Sequence, residues 1–209
     1  MQAHSPYSVH PSVSYLQALL ANLEARTGLS AEGWVRLVQA KGPKEVKLRR
    51  EWLKAQGLGG NQAALVAERS VEGKASAMDD TAEGYLQSAG GYVERQYEGK
   101  KAALRPLYEL VLGTALAIGP EAKACPCRTF VPLFRHHVFA QIKPSSVSRI
   151  DLGLALGDPA KVKAPGTRLL QTGGFAKRDR ITHRFELTRP SDVDATVNRW
   201  LTVAYDRDG

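Results

Sequence analysis

The chain has 209 residues and a formal net charge of +8, with 43% of its residues hydrophobic and 24% charged. This length allows one large or two modest domains, and two cysteines are too few for a disulfide framework. The composition predicts a soluble globular protein without membrane association, because no apolar run approaches the roughly 18 residues of a spanning helix. The first twelve residues contain neither Lys nor Arg and no apolar segment, so we expect no secretory signal and a cytoplasmic location.

Residues 1–72 are predicted to form a small all-helical domain. Apolar residues recur there at helical spacing between residues that start or stop helices. The four predicted helices run from Pro11 to Gly28, from Ser30 to Gly42, onward from Pro43, and onward from Asn61.

The third of these helices is predicted to be amphipathic, with Leu48, Trp52 and Ala55 on its core face. The face roughly opposite carries three cations. These are Lys47, Arg50 and Lys54.

The following Gly57-Leu58-Gly59 resembles the turn of a helix-hairpin-helix motif, in which backbone N–H groups at a helix N-terminus bind a phosphate. The alternative is structural: such turns occur wherever two helices meet tightly, and a charged helix face is usually only solvated.

Residues 73–84 lose all periodicity and are predicted to be a linker to a second domain at 85–209. Within it, a strong helical stripe from Leu104 to Ile118 precedes segments whose apolar residues alternate with period two. We therefore predict an α+β fold, in which the helical domain is followed by an antiparallel sheet packed with helices. Since Pro132 cannot donate to a strand ladder, its strand is expected at an edge or a bulge. The predicted strands lie near 130–134, 138–143, 149–154, 169–172 and 183–187, before a closing helix that opens at Ser191.

Two long phrases also resemble known families. The first resemblance rests on SPYSVHPSVSYLQALLANLEARTGLSAEGWVRLVQAKGP at 5–43 and RREWLKAQGLGGNQAALVAE at 49–68. These segments resemble an uncharacterised helical domain at the N-terminus of many small bacterial proteins. The second rests on YEGKKAALRPLYELVLGTALAIGPEAKACPCRTFVPLFRHHVFAQIKP at 97–144 and SRIDLGLAL at 148–156.

The second pair of segments resembles a domain of unknown function that also occurs in predicted transport proteins and is paired with the first in many bacterial chains. The resemblance implies two domains and an α+β C-terminal half, and it implies no catalytic or binding residue. Cys125-Pro126-Cys127 and Pro132 depart from the polar strand residues expected there.

Positive charge is concentrated in residues 121–190, where thirteen Lys and Arg stand against five acids. A second excess lies at 41–50. Such unevenness favours a polyanionic partner such as nucleic acid, and the alternative is a basic surface that serves solubility. Because exposed aromatic residues are missing from this region, we expect contact with the phosphate backbone rather than base reading. The candidate contacts in this half are Lys143, Arg149, Lys161, Lys163, Lys177, Arg178, Arg180 and Arg184.

The leading functional prediction is a non-enzymatic module that binds a polyanion, most plausibly nucleic acid. The alternative is a protein-interaction or assembly module, with Tyr85, Tyr92 and Tyr97 as candidate contacts. The second alternative is a hydrolytic enzyme, for which Asp151 and Glu186 are the candidate metal ligands on the polar face of the sheet. The oligomeric state does not follow from the sequence.

The cysteines and histidines are only weak indications of a metal site or a catalytic site. Cys125 and Cys127 lack the C-x-x-C spacing of redox and zinc motifs, and a zinc site would form only if the strands brought them to His136 and His137. His183 alternates onto the apolar side of its strand, as a core histidine does. Hydrolase, zinc-protease, P-loop and dinucleotide signatures are missing, so we predict no catalytic residue, metal or cofactor.

Overall fold

The computed structural model describes residues 5–71, 81–164 and 168–209. The chain divides into two compact units, Val9–Leu86 and Gln87–Gly209, and the second also includes the residues up to Ser8. Most of the predicted linker, residues 73–80, lies outside the described part, so the domain boundaries stay a prediction. The α+β fold class is confirmed, because helices fill the first unit and an antiparallel sheet with flanking helices forms the second.

The first unit is built from short helices with well-defined ends. The Ser30 hydroxyl accepts a hydrogen bond from the Gly33 N–H at 3.1 Å, which satisfies one of the unpaired donors at a helix start. The Trp34 indole Nε1 donates to the Thr27 hydroxyl at 2.8 Å and joins the first two helices. The helices are α1 Pro11–Thr27, α2 Ala31–Lys41, α3 Val46–Ala55, α4 Gly60–Arg69 and the beginning of α5 Ala82–Gln96.

The predicted core face of α3 is correct at Trp52, which packs against the core, and wrong at Leu48 and Ala55. Leu53 is buried, whereas Leu48 is 50% exposed and Ala55 is also exposed. Arg49, one turn before Leu53, points inward instead: its Nε donates to the Pro43 carbonyl at 2.7 Å. A charged side chain can occupy an inward position when backbone oxygens satisfy its donors.

The second unit contains a six-stranded sheet in the order β1-β2-β3-β4-β6-β5, with every neighbouring pair antiparallel. One buried row crosses four strands, from Val131 to Ile142, Leu152 and Phe185. The strands are β1 Lys123–Ala124, β2 Val131–Phe134, β3 Val138–Pro144, β4 Ile150–Leu154, β5 Leu170–Gln171 and β6 His183–Leu187. The helices α6 Arg105–Leu116 and α7 Ala195–Asp206 pack against the buried face through residues such as Val111 and Leu201.

A β-bulge interrupts the alternation of β3. Leu133 pairs with Ala140, but the next residue, Phe134, pairs with Val138, so Phe139 is the extra residue. Phe139 is fully buried and meets the Tyr205 ring edge-on at 5.4 Å.

Pro132 lies on an inner strand beside this bulge, so of the two predicted alternatives the edge is wrong and the bulge is found. The strand outside it, β1, has only two residues. A short N-terminal segment covers β1 in turn, because the Ser8 N–H donates to the Ala124 carbonyl at 2.9 Å. Within the described ranges, no helix is long and apolar enough to cross a bilayer.

Candidate functional site

Two pockets rich in cations lie at opposite ends of the sheet. Pro144 pairs with Ile150 at one end, and Leu154 pairs with His183 at the other. Since each pocket takes residues from one of these ends, the sheet separates the two. Most candidate cations of the C-terminal half are thus divided between these two pockets and the sheet face between them, and Lys163 and Lys177 lie outside all three.

The first, which we call the hairpin pocket, lies beside the turn between β3 and β4 and has a volume of about 640 Å³. Its lining contains five cations against a single acid, Glu98. The cations are Arg95, Lys100, Lys101, Arg128 and Lys143.

Two hydrogen bonds join separate segments at the hairpin pocket, and a third contact orients Arg95 within α5. The Lys101 Nζ donates to the Pro144 carbonyl at 2.6 Å and ties the 3₁₀ turn Gly99–Leu104 to the end of β3. The Gln96 Nε2 donates to the Cys127 carbonyl at 2.7 Å. The Arg95 guanidinium lies 5.1 Å from the centre of the Tyr92 ring, a cation–π distance. The two hydrogen bonds hold the end of α5 and the following turn against the sheet.

Sequence reasoning missed Arg95, Lys100 and Lys101 as members of a basic site. Residues 94–101 have a net charge of only +1, because Glu94 and Glu98 offset two of the three cations, whereas the larger excess lies within 121–190. The adjacent pair Lys100-Lys101 after the turn glycine Gly99 was the available signal.

The second pocket, which we call the loop pocket, has a volume of about 770 Å³. It combines four cations with the acids Asp158 and Asp179 and with apolar side chains that include Leu156 and Phe175. The cations are Lys161, Arg178, Arg180 and Arg207.

Two arginines of the loop pocket are held by hydrogen bonds. The Arg180 Nη2 donates to the Asp208 carboxylate at 2.8 Å, and its Nε donates to the Val138 carbonyl at 3.1 Å. Arg207 donates to the Leu156 carbonyl. Their guanidinium groups are therefore fixed before any ligand arrives.

The loop between β5 and β6 is stiffened by its own short polar side chains. The Thr172 hydroxyl donates to the Ile181 carbonyl at 2.7 Å and accepts from the Gly174 N–H at 3.0 Å. The Asp179 carboxylate accepts from the Ile181 N–H at 3.0 Å. Arg178 has φ +58°, the left-handed region that non-glycine residues rarely adopt. The loop thus holds Arg178 in an uncommon conformation at the pocket.

Between the pockets, the polar face of the sheet carries a closed ion-pair network. Arg149 lies 3.0 Å from both Asp151 and Glu186, and Arg184 lies 2.9 Å from Glu186. Arg149 and Arg184 are therefore neutralised by neighbouring acids. The same pairing occupies Asp151 and Glu186, which were the candidate metal ligands of a hydrolase. Among the residues that the structure places, no group of three His, Cys, Asp or Glu could hold a metal.

Residues 93–208 match the family described as a domain of unknown function, DUF5655. The match covers more than half of the chain. The chain belongs to the DUF5655 family. Every residue that lines either pocket lies inside the matched range. No curated protein and no solved structure matches the chain. The resemblance predicted for the N-terminal segment, and the link to transport proteins, stay predictions.

Two predicted contacts of the DUF5655 domain lie on its surface without lining a pocket. Lys163 and Lys177 are exposed, the first before the undescribed residues 165–167 and the second in the β5–β6 loop. Within the described ranges they have no ion pair. Lys177 is therefore a natural control for Arg178.

The cysteines and histidines of the DUF5655 domain do not converge. The Cys127 N–H donates to the Phe130 carbonyl before β2, whereas His136 and His137 follow β2 at its other end. Burial raises the pKa of the Cys125 thiol to about 12, so this group is an unreactive thiol at neutral pH. Among the described residues, these four side chains do not form a group that could hold zinc.

The tyrosines proposed as partner contacts are largely internal. Tyr85 and Tyr97 are buried, and Tyr92 is half-buried. The Tyr97 ring packs on Tyr108 with 4.7 Å between ring centres. Tyr85 and Tyr97 therefore offer no surface to a partner.

In the helical unit, the cationic face of α3 is exposed. Lys47 and Arg50 are exposed and have no ion pair among the placed residues, while Lys54 lies 3.0 Å from Glu51. An exposed pair of this kind contributes little. The face is solvated, and no lining residue of a described pocket comes from it.

Gly57 and Gly59 have structural roles in the turn between α3 and α4. Gly57 has φ +96° and ends α3, where the Leu58 N–H donates to the Leu53 carbonyl at 3.2 Å in a Schellman-type cap. The Gly59 N–H donates to the Gln62 Oε1 at 3.3 Å. Since a side chain of the protein takes the Gly59 donor, this turn offers less to a phosphate than the sequence predicted.

Proposed function

We propose that the DUF5655 domain of this chain binds a polyanion, most favourably a nucleic acid, by contact between the hairpin pocket and the phosphate backbone. The observation that carries the proposal is the lining of that pocket, in which five cations face one carboxylate. An excess of cations over acids in one concave surface raises the local potential and attracts phosphates.

The contacts around the hairpin pocket favour a backbone ligand over a sequence-specific one. No aromatic side chain lines the pocket, so bases have no ring on which to stack. Lys100 and Lys143 are exposed and have no ion pair within the described part of the chain. Two flexible ammonium groups suit phosphates at several positions, because lysine acts as a point charge without fixed geometry.

The proposal narrows the set of residues expected from the sequence. Lys143 stays a proposed contact and is joined by Lys100 and Lys101. Arg149 and Arg184 are left out because acids neutralise them. Tyr85 and Tyr97 no longer support a protein-interaction role, because both are buried.

Fluorescence anisotropy of the full chain with labelled single-stranded RNA and DNA tests the proposal. Phosphate contacts to Lys100, Lys101 and Lys143 predict an affinity about 20-fold weaker at about 200 mM than at about 50 mM salt. The variant Lys100→Ala/Lys143→Ala removes two contacts and is expected to reduce the slope of log affinity against log salt by about 1.4.

The matched control is Lys163→Ala/Lys177→Ala, which removes the same charge from outside both pockets. The control is expected to change binding much less than the pocket variant. Absence of binding at low salt, or an equal loss in both double variants, would contradict a specific role for the hairpin pocket.

A further inference from the structure

The loop pocket differs from the hairpin pocket because it places an exposed aromatic ring beside cations. Phe175 is 50% exposed, although its neighbour Gly174 is buried. A large apolar side chain left in solvent at the rim of a pocket is a typical feature of a ligand site. The hairpin pocket has no such ring in its lining.

The cations of the loop pocket come from three separate segments. Lys161 ends the 3₁₀ turn Pro159–Lys161, Arg178 and Arg180 belong to the β5–β6 loop, and Arg207 follows α7. Lys161 and Arg178 have no ion pair among the residues placed by the structure. Arg180 is oriented in advance by Asp208. An arrangement of two free cations beside a fixed guanidinium suits the several oxygens of one phosphate group.

The remaining lining suits the rest of a nucleotide. Phe175, which is 50% exposed, provides an apolar surface for a planar ring. Asp158 and Asp179 are the two carboxylates of the lining, and ribose hydroxyls need an acceptor of this kind. The volume of about 770 Å³ lies within the range of small-ligand sites.

We infer that the loop pocket binds a nucleoside 5′-monophosphate, with its phosphate on Lys161 and Arg178 and its base against Phe175. This site lies at the other end of the sheet from the hairpin pocket and does not depend on the proposed function. The ligand groups that this site would recognise, a 5′-phosphate and its base, occur both in a free mononucleotide and at the phosphorylated 5′ end of a strand.

Calorimetric titration of the full chain with AMP, inorganic phosphate and adenosine tests the inference. AMP is expected to bind at least about tenfold more tightly than either fragment, because it alone engages both halves of the pocket. The titration is repeated in Lys100→Ala/Lys143→Ala, where AMP affinity is expected to be unchanged. Loss of AMP binding in that variant would place the ligand in the hairpin pocket and overturn the inference, whatever happens to binding of longer strands.

Two variants and one control locate the ligand. Arg178→Gly removes the cation while keeping the left-handed backbone, and Phe175→Ala removes the ring. Each is expected to weaken AMP binding about tenfold or more, whereas Lys177→Ala is expected to leave it within about twofold. Equal affinity for AMP and inorganic phosphate, absence of AMP binding, or an equal effect of all three substitutions would overturn the inference.

A trinucleotide with a 5′-phosphate and one with a 5′-hydroxyl distinguish the two sources. Both are titrated into the Lys100→Ala/Lys143→Ala variant. Binding of AMP together with a clear preference for the 5′-phosphorylated trinucleotide assigns the pocket to strand ends. Binding of AMP alone assigns it to free mononucleotides. Equal binding of the two trinucleotides contradicts recognition of the 5′-phosphate.

Discussion

The Oδ1 atom of Asp208 lies 2.8 Å from the Nη2 atom of Arg180, and the carboxylate is only 3% exposed. Its other oxygen accepts a hydrogen bond from the backbone N–H of His137 at 2.6 Å. One buried carboxylate therefore joins the residues after α7, the β2–β3 turn and the β5–β6 loop.

Asp208→Asn is predicted to lower the free energy of unfolding by about 1–3 kcal/mol, because Arg180 loses its charged partner in a buried setting. Urea denaturation measures the change. The control is Asp206→Asn two residues earlier, where the side chain is exposed and the expected change is within about 0.5 kcal/mol. Similar effects of the two substitutions would show that the buried contacts contribute nothing specific.

Gly174→Ala is predicted to destabilise the domain and to weaken AMP binding. A Cβ atom at Gly174 would overlap the carbonyl oxygen of Ile181, which is backbone and cannot move aside as a flexible side chain can. We expect a loss of about 1–3 kcal/mol, the usual cost of overpacking. Gly90→Ala in α5 is the contrasting control, since its Cβ meets no atom within 4 Å and alanine favours a helix by about 1 kcal/mol. Thermal unfolding of both variants is expected to shift in opposite directions.

The ion-pair network on the polar face is predicted to act as a unit. Arg149→Ala is expected to lower the free energy of unfolding by about 1–2 kcal/mol, because it leaves half-buried Asp151 with one fewer cation. The partner substitution Glu186→Ala and the double variant complete a thermodynamic cycle. A coupling free energy of about 0.5 kcal/mol or more is expected for groups in contact. Strict additivity in urea denaturation would show that the pairs are only solvated neighbours.

Stability is predicted to fall as the pH drops below about 6.5, the ordinary pKa of histidine. Burial, with a further contribution from the Arg207 charge, lowers the pKa of His183 in the folded chain. The unfolded chain therefore binds a proton first, and each such group removes up to about 1.4 kcal/mol per pH unit until its folded pKa is reached. Above about 6.5 the histidine is neutral in both states and its titration has no effect.

Urea midpoints at several pH values from about 5 to about 7.5, on both sides of the ordinary histidine pKa of about 6.5, measure this dependence. His183→Gln is expected to flatten the curve without abolishing its slope, because burial also lowers the pKa of His10. The surface control His136→Gln is expected to keep the full slope. An unchanged slope in His183→Gln would contradict the assignment.

The fold could be predicted from the sequence where one periodicity continued for several residues. The stripe through Leu107 and Val111 and the alternation through Leu152 and Phe185 both bury the residues that their patterns indicate. Pro132 indicated a bulge as one of two alternatives, but its place at Phe139 on the partner strand could not be predicted, because it depends on how β2 and β3 pair.

The two pockets show the same difference: residues that are close in sequence could be predicted to lie together, and residues that only the fold brings together could not. Arg178 and Arg180 are close in sequence and share one loop, so counting charge along the chain found them. Lys101 and Lys143 meet only because the turn after α5 packs on the end of β3. The inward position of Arg49 has a similar cause, since the carbonyls that accept its hydrogen bonds come from Pro43 and Ser70.

Strand β3 holds one cation at each of its ends: Arg180 donates to the carbonyl of Val138, and Lys101 donates to that of Pro144. The strand therefore works as a rigid spacer of about 20 Å. Ligands at the two termini of this spacer cannot compete for space, and the seven residues of β3 are a direct physical connection between them.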